Sequence, residues 1–303
     1  MSWIFYYLVF PGLIFSVVIG LLLVWLERKV SARLQWRIGP PWYQGFADII
    51  KLFGKENIVP ETAGWGFSLA PYLGFLSLVF ASTIIGRSIF LLRENFAADL
   101  IVILYVMTIP AIALIIGASS SRNPLATVGA SREIKLILGY ELPFLLALIT
   151  VIIRSHGAIR INQVLDYQLF NGSHIFSYSG ALAFIAAIFA AQAKLCYGLF
   201  DISEADQELM GGTLIEYSGM LLAIFKLTKA VFLYTMPLFL IALFLGQDTA
   251  PLMLAIKLIS IVVVFILIKN TNPRLRIDQA LRFLWGPVTL LAVIGVVLAA
   301  IGL

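Results

Sequence analysis

The stretch Leu26–Glu56, LERKVSARLQWRIGPPWYQGFADIIKLFGKE, follows an apolar run that begins at Trp3 and carries no charge. Glu27, Arg28 and Lys29 then come at once, with Arg33 and Arg37 after them at helical spacing. Lys29, Arg33 and Arg37 share one face if the helix continues, and Gly39-Pro40 then ends it and redirects the chain. Further on, Phe46, Ile49, Ile50 and Phe53 form an apolar stripe. Asp48, Lys51 and Lys55 form the opposite, polar face, with favourable i, i+3 pairing. That pattern predicts a short helix lying in the membrane plane. A spanning helix, a basic turn and an in-plane helix together set the fold class: an all-α polytopic membrane protein.

Composition agrees. The chain has 303 residues, is 61% hydrophobic and only 12% charged, against about 25% charged for a soluble domain. Its mean hydropathy is +1.00. Cys196 is the only cysteine, which excludes an intramolecular disulfide and a cysteine-ligated iron–sulfur cluster held by this chain alone. His156 and His174 are too few and too far apart for a metal or haem site, and read as ordinary surface residues. No glycine-rich phosphate loop precedes a helix. The N-terminus lacks a basic leader and reads as a first spanning helix, not a cleavable signal.

Eight apolar runs are long enough to span a bilayer, at roughly 3–26, 67–92, 99–118, 136–154, 179–199, 217–246, 251–269 and 284–302. They predict a single integral membrane domain over 1–303, with the sixth run over-long. The loops after runs one, three and seven carry thirteen Lys and Arg; the opposite loops carry only Arg87, Arg93, Arg154 and Arg160. The positive-inside rule therefore predicts that both termini face away from the cytoplasm and that loops 27–66, 119–135, 200–216 and 270–283 face it. Nothing resembles the inverted pair of broken helices found in many transporters.

One of those loops breaks the basic pattern. FDISEADQELMGGTLIEYSG (200–219) has no Lys or Arg and holds Asp201, Glu204, Asp206, Glu208 and Glu216. If helical, Asp201, Glu204 and Glu208 share a face and repel, unless a basic partner sits against them. Inside the runs lie Glu141, Lys194, Lys226, Lys229 and Lys257. A carboxylate near a span centre costs about 2.5–3.5 kcal/mol on insertion scales. Glu141 is close enough to an edge to snorkel, but Pro143 can hold its helix bent. Lys226 and Lys229 ask for an acidic partner or a water-filled cavity, with Glu141, Glu216 and the 201–208 acids as candidates. Lys194 is ambiguous, and Lys257 can snorkel to the outer edge. Buried acids and lysines in such a cluster suit an ion relay.

Four motifs then carry a resemblance: ERKVSARLQWRIGP, FADIIKLFGKE, GASREIKLILGYELP and FDISEADQELMGGTLIEYSGM. In this order and topology they resemble the H-type membrane subunit of respiratory complex I, a family that also serves membrane-bound [NiFe] hydrogenases and related sulfane-sulfur-reducing complexes. The resemblance covers nearly the whole chain. It implies eight spans that clamp a peripheral redox arm to the membrane and couple electron transfer to proton or sodium movement. It assigns docking to Glu27, Arg28, Arg33, Arg37, Asp48, Lys51, Glu56 and Arg132. It assigns the ion pathway to Glu141, Asp201, Glu204, Asp206, Glu208 and Glu216, to which the embedded Lys226 and Lys229 add. It implies no cofactor and no catalytic residue in this chain. Iron–sulfur clusters, and a nickel–iron site in the hydrogenase branch, would sit on partners. Those partners are a hydrogenase-like large subunit, an iron–sulfur small subunit, antiporter-like and small membrane subunits, and ferredoxin as donor, with lipid around them and no nucleic acid.

Within the resemblance, the segment between Pro40 and Asp48 is short (PWYQGFA), and Lys229-Ala230 stands where complex I members carry an acidic residue and an aromatic. These departures favour the ferredoxin-linked hydrogenase or sulfane-sulfur reductase branch. The alternatives are the quinone-site subunit of a complex I-type enzyme, a stand-alone secondary transporter, and an anchor whose embedded charges merely pair.

Overall fold

The computed structural model describes residues 2–90 and 99–302, with residues 2–4, Asp206 and Gln207 described by backbone alone. Arg93 and the last two residues of the second apolar run lie outside the described residues. Among the described residues the fold is all-helical, apart from one isolated bridge between Asp99 and Arg160. A short helix, Ser2–Leu8, leads into α1 (Leu13–Leu34). Then come α2 (Gln44–Phe53), α3 (Trp65–Phe90), α4 (Leu100–Ser120, interrupted near Met107), α5 (Pro124–Arg154) and α6 (Ile161–Asn171). The chain closes with α7 (Tyr178–Lys194), α8 (Gly219–Phe244), α9 (Pro251–Thr271) and α10 (Ile277–Ile301).

Seven of these helices, α1, α3, α4, α5, α8, α9 and α10, are long and apolar enough to cross a membrane. α7 has 17 residues, about 25 Å of helix. With it, the described residues hold eight long apolar helices, as many as the runs predict. The fifth run was expected to reach 199, but α7 stops at Lys194. The amide of Cys196 bonds to Ala193 O and that of Tyr197 to Gln192 O, both at 3.1 Å. This paired closure satisfies the last carbonyls of a helix and puts the intervening residue, here Cys196 with φ 48°, in the left-handed region.

The fourth run was expected from 136, yet α5 begins at Pro124. Asn123 Oδ1 accepts from the amide of Leu125 at 2.8 Å, and Pro124 occupies the first turn, where its missing N–H costs nothing. The added turns carry Arg132, Glu133 and Lys135, which hydropathy alone reads as loop. The last run was expected from 284. α10 instead starts at Ile277 and carries a π-type turn over Leu284–Val288, around Pro287.

α8 is the hub. Within its apolar window 94% of residues are buried, against 28–33% for α1, α9 and α10, which present most of their surface outward. It packs against α3 on one side and α1 on the other, and α5, α7 and α10 form a second group beside it. Close approach relies on small residues, as expected where lipid competes with side chains for packing. A Cβ on Gly20 of α1 would stand 2.5 Å from Ala230 O of α8. On α7, Ala183, Ala186, Ala187, Ala190 and Ala191 are all buried. The over-long sixth run is thus a helix of 26 residues absorbed by the bundle interior. Its first turn is held from outside: Asn57 Oδ1 accepts from the amides of Met220 at 2.6 Å and Leu221 at 3.4 Å. At its far end, Lys257 donates to Leu245 O and Asp248 O, both at 2.7 Å, so this lysine caps the α8 exit instead of snorkelling.

His174 also differs from expectation. It is 2% exposed, with Ser155 Oγ 3.0 Å from its Nε2 and Tyr167 stacked on the ring. Burial, helped by the Arg154 charge, lowers its pKa from 6.5 to about 4. The unfolded chain therefore binds the proton first. Stability is full above about pH 6.5 and falls as the pH drops toward 4, by about 3 kcal/mol. Unfolding of the purified protein in detergent should show this loss between pH 7 and 4, and His174→Gln should flatten it.

Candidate functional site

Most of the charged residues gather at one end of the bundle. α1 ends there at Leu34, five residues before Gly39-Pro40. The amide of Trp36 bonds to Arg33 O and that of Arg37 to Ala32 O, and Trp36 takes the left-handed position with φ 58°. Arg37 therefore lies past the helix and off the Lys29–Arg33 face. Gly39 and Pro40 instead fold back on α1, where Trp25 Nε1 donates to Pro40 O at 3.1 Å. Arg33, Arg37, Lys51 and Glu56 are all exposed, and the Trp36 side chain is 98% exposed.

α2 is the predicted amphipathic helix, but its two faces are used differently than expected. Phe46 and Ile49 pack on Leu21, Leu227 and Ala230, while Ile50 and Phe53 face outward. Asp48 pairs with Arg28 at 3.1 Å and accepts from Gln44, instead of pairing with Lys51. Glu27 pairs with Lys269 of α9 at 2.7 Å, and the Lys269 ammonium lies 4.5 Å from the centre of the Tyr197 ring. Burial and the Glu27 charge push the Tyr197 phenol well above its usual range. Between α1, α2, α8 and residues 195–204 opens a cavity of about 330 Å³. Glu27, Asp48, Cys196, Asp201, Glu204, Lys226, Lys229 and Lys269 line it.

The acidic loop is a chain of tight turns with a one-turn helix at Asp206–Leu209, so Asp201, Glu204 and Glu208 do not share a face. Each points to a cation from another element. Asp201 pairs with Arg274 at 3.0 Å, Glu208 with Arg132 at 2.6 Å, and Glu204 with Lys229. The expected self-repulsion is relieved pair by pair. The Arg132 bond also holds the exposed Glu208 carboxyl below the usual carboxylate range. Glu216 accepts from Asn123 Nδ2 at 2.5 Å, so it braces the α5 cap and does not serve the lysines. Lys226 is exposed at the cavity rim. Asp206, a predicted pathway residue, has no described side chain.

Deeper in, Glu141 pairs with Lys194 at 3.2 Å. Lys194 is therefore the partner that Glu141 finds, in place of Lys226 or Lys229. Its ammonium also lies 5.6 Å from the Tyr140 ring and 5.4 Å from Phe144, a face-on contact that suits a desolvated cation. Between this pair and Lys229–Glu204 sits Glu133, fully buried. Sequence reading missed it because hydropathy begins α5 at 136, more than three turns after its structural start at Pro124. The structural start at Pro124 places Glu133 two turns ahead of Glu141 on one helix. Both Glu133 oxygens meet the Cys196 thiol, at 3.2 and 3.0 Å. Among the described residues, no group of three or more His, Cys, Asp or Glu side chains converges as a metal site.

Comparison with known proteins fits this geometry. Residues 7–300 match the family model described as NADH dehydrogenase, and the chain belongs to that family. It is 32% identical over 285 residues to the H-type subunit of the NADH-quinone oxidoreductase of Dehalococcoides mccartyi (strain CBDB1), covering 89% of this chain and 79% of the relative. The corresponding NADH-quinone oxidoreductase chain of Anoxybacillus flavithermus is 30% identical over 316 residues, covering 96% and 94%. Among solved structures, a chain of the membrane-bound sulfane sulfur reductase (MBS), an archaeal respiratory membrane complex, superposes with a TM-score of 0.86 at 29% identity, covering 94% of this chain and 96% of that one. The protein is thus a multi-pass membrane subunit of a respiratory oxidoreductase.

Removing one member of a buried ion pair leaves the other charge uncompensated, which costs about 3–5 kcal/mol. Lys194, with 1% of its side chain exposed, meets that condition. Glu141→Leu, which leaves that ammonium uncompensated, should destabilise the protein by that order. Adding Lys194→Met should recover most of the loss, as read by thermal unfolding in detergent.

Proposed function

We propose that this chain anchors a peripheral redox arm at its charged end and helps couple electron transfer there to ion movement through the membrane. The observation that carries the reading is the run of paired charges. It starts on the acidic loop at Asp201, Glu204 and Glu208, and passes through Lys229 into the bundle, ending on the buried Lys194–Glu141 pair. Buried ionisable groups in an apolar bundle are costly and mark ion or proton paths. Exposed Arg33, Arg37, Lys51 and Glu56 offer the arm charges that no described residue of this chain satisfies, and Glu27, Arg28, Asp48 and Arg132 brace the platform beneath. Both termini lie on the side away from the cytoplasm. A thiol probe that reached positions 40–60 from outside intact cells would overturn that orientation.

The likeness to the sulfane sulfur reductase chain and the short Pro40–Asp48 connection favour the ferredoxin-linked hydrogenase or sulfane-sulfur reductase branch. Hydrogenase-like and iron–sulfur subunits would then carry the redox centres, with antiporter-like subunits beside this one. A second reading, a quinone-site subunit, is supported by the 330 Å³ cavity between α1, α2 and α8 and by the names of the curated relatives. The test uses the whole complex in sealed vesicles. Glu141→Gln should lower the ions moved per electron about tenfold or more while electron transfer continues. Equal loss of both would contradict the coupling role. Inhibition by quinone-site blockers would favour the second reading.

A further inference from the structure

Glu133 stands apart from the other buried acids. Its carboxylate is fully buried on α5, and among the described residues no lysine or arginine pairs with it. Its donors are the thiol of Cys196, which meets both oxygens, and the hydroxyl of Ser203. Ser203 Oγ in turn lies 3.8 Å from the Cys196 sulfur. Burying a carboxyl group that takes hydrogen bonds from neutral donors and forms no ion pair is expensive, even with Lys229 near enough to act on it through its charge, so a structural role explains it poorly. Its position is also specific. Glu133, Cys196, Lys194 and Lys229 line a void of about 30 Å³, which has room for one or two water molecules. Cys196 and Lys229 line the 330 Å³ cavity as well. Cys196 and Lys229, with Leu195, thus form the wall between the cavity and the void, and Glu133 lines the void but not the cavity. Cys196 reaches this place only by taking a left-handed backbone, φ 48°, at the helix stop where glycine is usual. A side chain kept at such a position at a conformational cost points to use.

We infer that Glu133, with Cys196 as its hydrogen-bond donor, is the proton-carrying link between the Lys229–Glu204 pair on the cavity side and the Lys194–Glu141 pair inside. In the first step one proton leaves the Lys229–Glu204 pair and converts the Glu133 carboxylate to the acid. In the second, the Glu133 acid returns to carboxylate as that proton passes to the Lys194–Glu141 pair. No bond to carbon or sulfur changes and no electron moves in this chain. Cys196 acts through Glu133 and is a positioning residue: its S–H turns to whichever carboxyl oxygen is free, so the group keeps one orientation in both states.

This inference rests on the coupling role proposed above, and the experiment separates the two. Whole complexes carrying Glu133→Gln, Cys196→Ala, Cys196→Ser or Glu141→Gln are placed in sealed vesicles, and protons moved per electron are measured. Glu133→Gln should lower that ratio about tenfold or more. Glu133→Asp should recover part of it. Cys196→Ala should lower the ratio and shift its pH profile, and Cys196→Ser, which keeps a donor, should restore both. If Glu141→Gln lowers the ratio and Glu133→Gln does not, the link is overturned while the coupling role stands. If neither variant lowers it, both fall. Should Glu133→Gln fail to assemble, the Cys196 pair decides: equal ratios and pH profiles for Ala, Ser and the wild type overturn the proposal.

Discussion

An ammonium group with 1% of its side chain exposed inside an apolar bundle needs a counter-charge, and Glu141 gives Lys194 one at 3.2 Å. Much of the architecture follows from that requirement. α5 and α7 must lie side by side for the pair to form, and the alanine-rich face of α7 lets them approach. α7 must also stop at once beyond Lys194, because the acidic loop has to begin there and reach Lys229 of α8. The left-handed closure at Cys196 makes that stop.

The same constraint acts at the charged end, with less burial and so lower stakes. Asp201, Glu204 and Glu208 stand close together in sequence but are divided among α10's approach, α8 and α5 through Arg274, Lys229 and Arg132. Three like charges become three cross-links, and a loop of tight turns is fixed to two helices and to the segment that leads into α10. Exposed pairs such as Arg28–Asp48 are worth little singly. Their value lies in where they hold the segments around the cavity.

Several of these features are legible in sequence. Apolar runs gave the helices, and charge asymmetry grouped the loops. The acidic loop asked for basic partners, which the structure supplies. What failed did so for definite reasons. Hydropathy cannot see the twelve residues of α5 before 136, because the Asn123 cap and Pro124 start that helix in polar sequence; Glu133 was lost with them. Spacing placed Arg37 on a helix that a left-handed Trp36 had already ended. His174 read as a surface residue because nothing local reveals Tyr167 and Ser155 closing over it.

By itself the sequence determined that the chain is a bundle of membrane-crossing helices and which residues carry charge where charge is costly. Period and composition report how each segment meets its solvent, and a bilayer enforces that strictly. Only the tertiary structure decided who pairs with whom: Lys194 with Glu141, Lys229 with Glu204, Glu216 with Asn123, and Glu133 with a thiol. Those choices depend on distances between helices far apart in the chain. Such distances are set by glycine and alanine contacts across the bundle and by where each helix stops, neither of which is written in the charged residues themselves.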